Sequence, residues 1–534
     1  MLDRSRKLWD KLGYYRRMAR GLHALLSTPP HADPEAVIRR QLANREQVWL
    51  DLVRRVVFSN PENPYHQMFD LAGCTYEDLK AGVERDGLEA TLAVLHRAGV
   101  YLSHDEFKGK KPIVRGNRAI ESGTASFRNP FVKGGMESTS GGSRSAGTKT
   151  FRGVPARLYG EAQRWLRVRE FGVQDRERVT VKPVLPAADG LMGCVIQSRL
   201  GLRVGPWFST MSASLDAAHY RFATNCLVTL ARLYGEHVPY PVSLPADDYS
   251  PVSAWIGRRH REGVLSLVAT PPSPGARVAA AALEKGHDIR DTIFFVGGEA
   301  LTAARRRVFE SAGAQVYPSY PISEIGGIGW ACRQMTSGNS VHIAEDAMGV
   351  ISYRRRAPLT EVEVDSLLFT TLLEHGASVV INVEMDDCGV IEAATCDCTY
   401  SKMGFRRRIR DIASFGKLTG IGVTLVGTDV VRVLEEALPA RFGGSVTDYQ
   451  LVEQDGDVQA KLELRVSRHV KLDSLDEVRV FFLRELRQFE GGAGASRIWR
   501  DTAALQVVHE DPLVTSRGKV LPLHLMGSGI VGRT

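Results

Sequence analysis

A chain of 534 residues is too long for one hydrophobic core, so two or more domains are expected. Its 43% hydrophobic and 24% charged content is that of a folded globular protein, and no run of about eighteen apolar residues marks a membrane span. The formal net charge of +8 comes from basic stretches that acidic residues interrupt; a nucleic-acid binder has a denser basic stripe, so small anionic ligands fit better.

The first 26 residues, MLDRSRKLWDKLGYYRRMARGLHALL, are basic and amphipathic, but Asp3 and Asp10 interrupt them and no continuous apolar core follows. They are expected to form a surface helix. Seven cysteines, an odd count, fit a reducing compartment, and a cytoplasmic location follows by default. Up to about residue 125 the apolar spacing is helical, as in ADPEAVIRRQLANREQVWLDLVRRVVF. Then comes STSGGSRSAGTKT, Ser138 to Thr150, with no apolar residue larger than alanine. Such a stretch is either a surface linker or a loop that wraps phosphate oxygens.

From about 150 to 400, helical stretches alternate with β-rich runs such as RVTVKPVL, DTIFFVGG, SLLFTTLL and ASVVINVEM, predicting an α/β domain with a largely buried sheet. In FFVGGEALTAARRRVFESAGAQVYPSYPISEIGG, a strand runs into Gly297-Gly298-Glu299, a helix follows, and a second strand ends near Tyr320 to Glu324. Ligands of open α/β sheets bind at the carboxyl ends of strands. Glycine there lets a flat ligand approach the backbone, tyrosine can stack on it, and a carboxylate can hold magnesium. After about Phe415 the pattern changes: VTDYQLVEQDGDVQAKLELRV predicts a hairpin turning at Asp455-Gly456-Asp457, SLDEVRVFFLRELRQF a helix capped by Ser474, and AALQVVHE a strand. This is a separate α+β unit of ordinary domain size.

Cys332, His342, Cys396 and Cys398 carry three thiols and an imidazole, the donor set of a closed structural zinc site. The alternative is a buried thiol set beside a hydrogen-bonded histidine. Cys388 lies close enough in sequence to be a substitute ligand. Cys74, Cys194 and Cys226 sit in apolar settings and are expected as small core residues. His219, Trp207 and Phe208 either line a pocket or pack.

Together, Ser138 to Lys149, Gly297 to Ala300 and Tyr320 to Glu324 resemble the adenylate-forming superfamily of acyl- and aryl-CoA ligases. Within it, the spacing is most similar to the phenylacetate–CoA ligase branch, which includes luminescence acyl-protein synthetases. TPPSPGARVAAAALEKGHD, LLFTTLLEHGASVVINVEMDDCGVI and VTSRGKVLPLH extend the resemblance over roughly residues 50 to 525. It implies a large N-terminal adenylate-forming domain (1–414) and a small mobile α+β C-terminal domain (415–534).

It also implies Mg-ATP-dependent activation of an acid, a carboxylic acid by preference, as its AMP ester, then transfer to a thiol or amine. Ser138, Thr139, Ser140, Gly141, Gly142 and Ser143 would then cradle phosphates, with Arg144 or Lys149 adding a positive charge. Gly298, Glu299, Ala300, Ser319, Tyr320, Pro321, Ser323 and Lys417 would line the nucleotide site, and Asp387 would hold the ribose. Glu324 would bind magnesium and Lys519 the reacting oxygens. Several members of the branch hold zinc with a comparable Cys…His…Cys-x-Cys set. The implied partners are a small-molecule acid and coenzyme A, a carrier protein or an amine; a homodimer stays open, and neither nucleic acid nor membrane is expected. The chain departs from the pattern where the loop lacks its usual proline, at Pro321 for glycine, Asn382 for arginine, Lys417 for arginine and Gly420 for an acidic hinge residue. Those departures keep two other readings open: a nucleotide-binding pseudoenzyme, and adenylation of a non-carboxylic oxyacid.

Overall fold

The computed structural model describes residues 2–133, 135–139, 149–210, 218–245, 248–336, 338–356, 363–414, 419–420, 423–424, 428–454, 461–488, 505–515 and 518–526. The N-terminal 100 residues are helical, beginning with Leu2–Leu26. Thr75 and Ser103 open their helices with reciprocal capping boxes, which satisfy backbone donors that have no partner inside the helix. Among the described residues no helix is long and apolar enough to cross a membrane.

A mixed sheet dominates the chain. Its strands are β1 (Glu177–Val181), β2 (Val204–Ser209), β3 (Pro241–Ser243), β4 (Ser266–Thr270), β5 (Ile293–Gly297) and β6 (Gln315–Ile322), followed by β7 (Gly326–Trp330), β8 (Val341–Ile343), β9 (Met348–Arg356), β10 (Glu363–Thr371), β11 (Val383–Ala393) and β12 (Arg407–Ser414). They lie side by side in the order β9-β10-β11-β12-β8-β7-β6-β5-β4-β1-β2-β3. From β3 to β6 every pairing is parallel. From β6 to β9 every pairing is antiparallel.

The parallel half is covered on both faces, as such sheets require. Phe294 and Val296 of β5 pack with the helices Ser250–Arg261, Pro272–Lys285 and Ala303–Ser311. Ile293, one residue out of phase, faces the opposite cluster with Leu166 and Tyr400. Trp207 is fully buried beside Gly190, where a Cβ would come within 2.5 Å of its ring, and its indole N–H donates to the Lys182 carbonyl. Its role is packing. The antiparallel half closes against the N-terminal helices through Trp49, Tyr65, Phe69, Leu92, Phe369 and Ile409.

Past Ser414 a second core forms. Strands β13 (Tyr449–Gln454), β14 (Lys461–Val466), β15 (Leu505–Val508) and β16 (Leu523–Met526) make a sheet ordered β15-β14-β13-β16. The helix Leu475–Leu486 covers it with Val478, Phe482, Leu483 and Leu486, and Ser474 caps that helix by accepting from the Glu477 N–H. The predicted hairpin pairs Tyr449 with Val466; its turn residues lie outside the described set. The chain is thus an α/β protein with a large mixed sheet and a smaller C-terminal sheet domain.

One cysteine corrects the sequence reading. Cys226 is exposed rather than core, because it lies on the outward face of the helix Ala218–Leu233 with Phe222 and Leu233. Cys194 is buried and touches the Thr180 hydroxyl; Cys74 is half-buried.

Candidate active site at the carboxyl ends of the parallel strands

The parallel strands end on one side, and the segments that follow them converge there. The C-terminal domain reaches this edge through the loop Thr515–Val520. Within that loop Gly518 N–H donates to the Thr515 carbonyl, and Thr515 N–H to the Lys519 carbonyl. The loop touches the residue after β2, since a Cβ on Gly518 would lie 2.4 Å from that of Thr210. It touches the segment after β4, where the Val520 N–H donates to Ser273 Oγ at 3.0 Å. It touches the segment after β5, where Lys519 Nζ donates to the Gly298 carbonyl at 2.5 Å. Gly298 adopts φ +84°, and a Cβ there would crowd the lysine ammonium at 3.0 Å; glycine meets both demands.

Glu299 does not face the crevice. Its carboxylate, with a side chain only 3% exposed, accepts from Ser273 Oγ at 2.9 Å and from Arg305 at 2.6 Å. Arg305 also pairs with Glu435 at 3.0 Å and donates to the Val520 carbonyl. Thr302 Oγ1 donates to the second Glu435 oxygen at 2.5 Å. A buried carboxylate–guanidinium–carboxylate set therefore ties the lysine loop to the large domain. Ala300, beside Glu299, is exposed.

The neighbouring strand β6 carries Ser319 to Ile322. Ser319 pairs with Gly297 across the parallel ladder, and its hydroxyl donates to the Val296 carbonyl. A Cβ on Gly297 would fall 2.3 Å from Ser319 Oγ, so the two strands need glycine there to close. A register shift separates Tyr320 from Pro321, which leaves proline exposed where a regular ladder would want its missing N–H. Ser323, just past the strand, is partly exposed. Tyr320 OH donates to Asp387 Oδ2 at 2.6 Å. Burial first, and the facing Asp387 next, hold the phenol far above its ordinary range, so it stays a donor. Asp386, the adjacent carboxylate, instead faces His104 at 3.5 Å.

Glu324 receives a 2.6 Å hydrogen bond from Lys108, a residue the sequence motifs do not single out. A single hard carboxylate at the crevice could hold magnesium, which takes one or two protein carboxylates and completes its shell with water or phosphate oxygens. Asn382 is fully buried with φ +51°, and its amide donates to the Leu92 and Val100 carbonyls, so it is a structural tie.

Ser138 and Thr139 pair with Thr150 and Lys149 in a hairpin. Ser140, Gly141, Gly142, Ser143 and Arg144 between them, and Lys417, lie outside the described residues. His219 lies against Tyr220 with ring centroids 4.1 Å apart and planes tilted by 35°, and its Nε2 is buried without a hydrogen-bond partner.

Away from the crevice, the ligand atoms of Cys332, His342, Cys396 and Cys398 all lie within 4.8 Å of one another. Cys332 and Cys396 sulfurs are 3.8 Å apart, Cys396 and Cys398 3.6 Å, and His342 Nε2 is 3.1 and 3.3 Å from Cys396 and Cys398. Tetrahedral zinc with bonds of about 2.3 Å to sulfur spaces its thiolates about 3.8 Å apart, so the set fits the ion. Contact with Cys332, then with His342, drives the Cys398 thiol well below its ordinary range. Glu170 joins the two cysteine loops by accepting from the Arg333 and Thr399 backbone N–H groups. Cys388 is not part of this set; it pairs in the sheet with Ser366 and Ala413.

No family model matches the chain, and no curated protein does. Solved structures similar to it are adenylate-forming ligases. One is 2-hydroxyisobutyryl-CoA ligase with 2-HIB-AMP and CoA, 15% identical over 90% of either chain with a TM-score of 0.47. Another is O-succinylbenzoate coenzyme A synthetase from Bacillus subtilis with ATP and magnesium, 10% identical over 80% of this chain and 79% of its own, TM-score 0.39. A third is McyG A-PCP with phenylalanyl-adenylate, 13% identical over 76% of this chain and 58% of its own, TM-score 0.41.

Proposed function

We propose that the chain activates an acid, carboxylic by preference, at the expense of ATP. An oxygen of the acid attacks the α-phosphorus, the bond to the bridging oxygen breaks, and pyrophosphate leaves with the acid held as its AMP ester. The observation that supports this reading is the meeting of Lys519 with Gly298 beside the Tyr320–Asp387 pair. It supports the reading because a cation from the C-terminal sheet region meets the large sheet at the carboxyl ends of its parallel strands.

In this reading Asp387, oriented by the Tyr320 hydroxyl, accepts from the ribose hydroxyls. Lys519 stabilises the charge that builds on the α-phosphoryl and acid oxygens, the main catalytic demand of phosphoryl-type transfer. Ser138 to Ser143, with Arg144 or Lys149, hold the β- and γ-phosphates. Glu324 is the magnesium ligand, and magnesium when bound neutralises phosphate charge. Residues 1–414 form the adenylating domain and 415–534 the lid that brings Lys519. Transfer to a thiol or amine follows, with coenzyme A, a carrier protein or an amine as acceptor. Cys332, His342, Cys396 and Cys398 hold a structural zinc that pins β8 to the loops around it.

ATP–pyrophosphate exchange with a panel of aryl, fatty and amino acids and small oxyacids tests the reading. Exchange dependent on one class of acid is expected. Thermal protection by ATP without exchange for any acid would instead mark a nucleotide-binding pseudoenzyme.

A further inference from the structure

The Lys108–Glu324 pair points beyond the motif residues. Lys108 is held firmly in place. It is the C-cap of the short helix His104–Phe107, which Ser103 and Glu106 open with a capping box. The preceding residues are zipped onto β11: Leu102 N–H donates to the Asn382 carbonyl, and Glu384 N–H donates to that of Leu102. Arg115 clamps Glu106 at 2.8 Å. Glu324 is fixed from its own side, where its carbonyl accepts from Ser378 Oγ. The two charges thus meet at 2.6 Å between fixed elements, with side chains only 16% and 12% exposed. From the same turn, His104 reaches Asp386, next to the ribose-side Asp387. One short N-terminal segment therefore serves both acidic arms of the crevice.

An ammonium at hydrogen-bond distance from Oε1 takes the approach of a magnesium ion bonded to that oxygen at about 2.0–2.1 Å and stands close to any ion on Oε2. A lysine ammonium is a compact point charge, and two cations crowded on one carboxylate oxygen repel. We propose that Lys108 is the resident counter-cation of Glu324, a positioning residue that keeps free metal off this carboxylate. It yields only when magnesium arrives with a nucleotide, whose phosphates offer the ammonium another anion. Metal and ATP then enter together, and Glu324 stays paired in the empty site. This inference rests on the adenylation reading for the role of Glu324.

The test uses manganese as the probe, read by the loss of its free-ion electron paramagnetic resonance signal on nucleotide-free, full-length protein. Lys108→Met should bind manganese about tenfold more tightly than wild type, the effect of removing one partly buried competing charge. Lys108→Arg, which keeps the charge, should stay near wild type, and Lys108→Gln serves if Lys108→Met does not fold. Adding Glu324→Gln to the neutral variant should erase the gain. Equal manganese affinity in wild type and the neutral variants overturns the proposal, as does a gain that survives Glu324→Gln. Binding in the absence of nucleotide reads the ion pair alone, whereas ATP–pyrophosphate exchange reads adenylation, so either can fail without the other.

Discussion

Replacing Arg305 with methionine tests how the lysine loop is held. In the native chain this guanidinium sits between Glu299 and Glu435, with all three side chains at most 3% exposed, and also donates to the Val520 carbonyl. Solvent screening is therefore slight. Removing one partner of a buried ion pair costs about 3–5 kcal/mol, because the charge left behind is stranded. Methionine keeps most of the aliphatic volume, so packing loss adds little. Urea unfolding of Arg305→Met should show that loss as a lower midpoint at unchanged slope, and the double variant with Glu435→Gln should regain part of it. The deficit should also depend on pH. Burial, against the opposing pull of Arg305, holds the Glu435 carboxyl above its ordinary 4.5 in the folded chain. The folded state thus binds this proton more tightly than the unfolded chain, and stability falls as pH rises from 4.5 towards the folded value. Without Arg305 that value climbs further, so the deficit should be smaller at about pH 5 than at about pH 8. A loss under about 1 kcal/mol, or one flat with pH, would refute a buried, charge-tied loop.

Lys519→Ala should slow ATP–pyrophosphate exchange by roughly a hundredfold or more while ATP still binds in calorimetry, since the lysine acts on charge that develops during transfer; unchanged exchange would move that role elsewhere. Tyr320→Phe removes one hydrogen bond to Asp387 and should weaken ATP binding by up to about tenfold with little change in thermal stability; an unaffected ATP affinity would free Asp387 from this positioning. Elemental analysis should find about one zinc per chain, and Cys396→Ser should lose the metal and lower the melting temperature. A metal-free, fully stable wild type would return the four residues to packing. Gly297→Ala drives a Cβ to within 2.3 Å of Ser319 Oγ and should cost about 1–3 kcal/mol of stability in urea unfolding; a neutral result would mean that β5 and β6 can part at their ends.

The features legible in the sequence are those in which neighbours along the chain do the work. Ser474 as a cap, the strand runs at β5 and β10, and the break in character near residue 415 each follow from periodicity or composition within a dozen residues. The family resemblance, aligned by its distance to the later cysteine pair, implies Asp387 rather than Asp386 for the ribose; the structure shows that the two carboxylates differ in partner, Asp387 meeting Tyr320 and Asp386 facing His104. What stayed illegible depends on partners far apart in the chain. Lys108 and Glu324 are separated by 216 residues, and nothing in EFKGKK distinguishes the lysine that finds a half-buried carboxylate from the two beside it. Glu299 looks like a ligand-facing residue in its triplet, yet Ser273 and Arg305 take up its carboxylate. Asn382 shows the reverse case. As a departure from a family pattern it suggested a lost catalytic group, but its side chain ties the Leu92 and Val100 carbonyls inside the core. An arginine there would bring a charge into a fully buried position in which both near acceptors are neutral carbonyls, at a cost of several kcal/mol. The substitution is therefore coupled to how the N-terminal helices pack on β11, the strand that also carries Asp387. In the proposed reaction, any cationic role of an arginine at this position would fall to another group, such as Lys519, which reaches the Gly298 carbonyl.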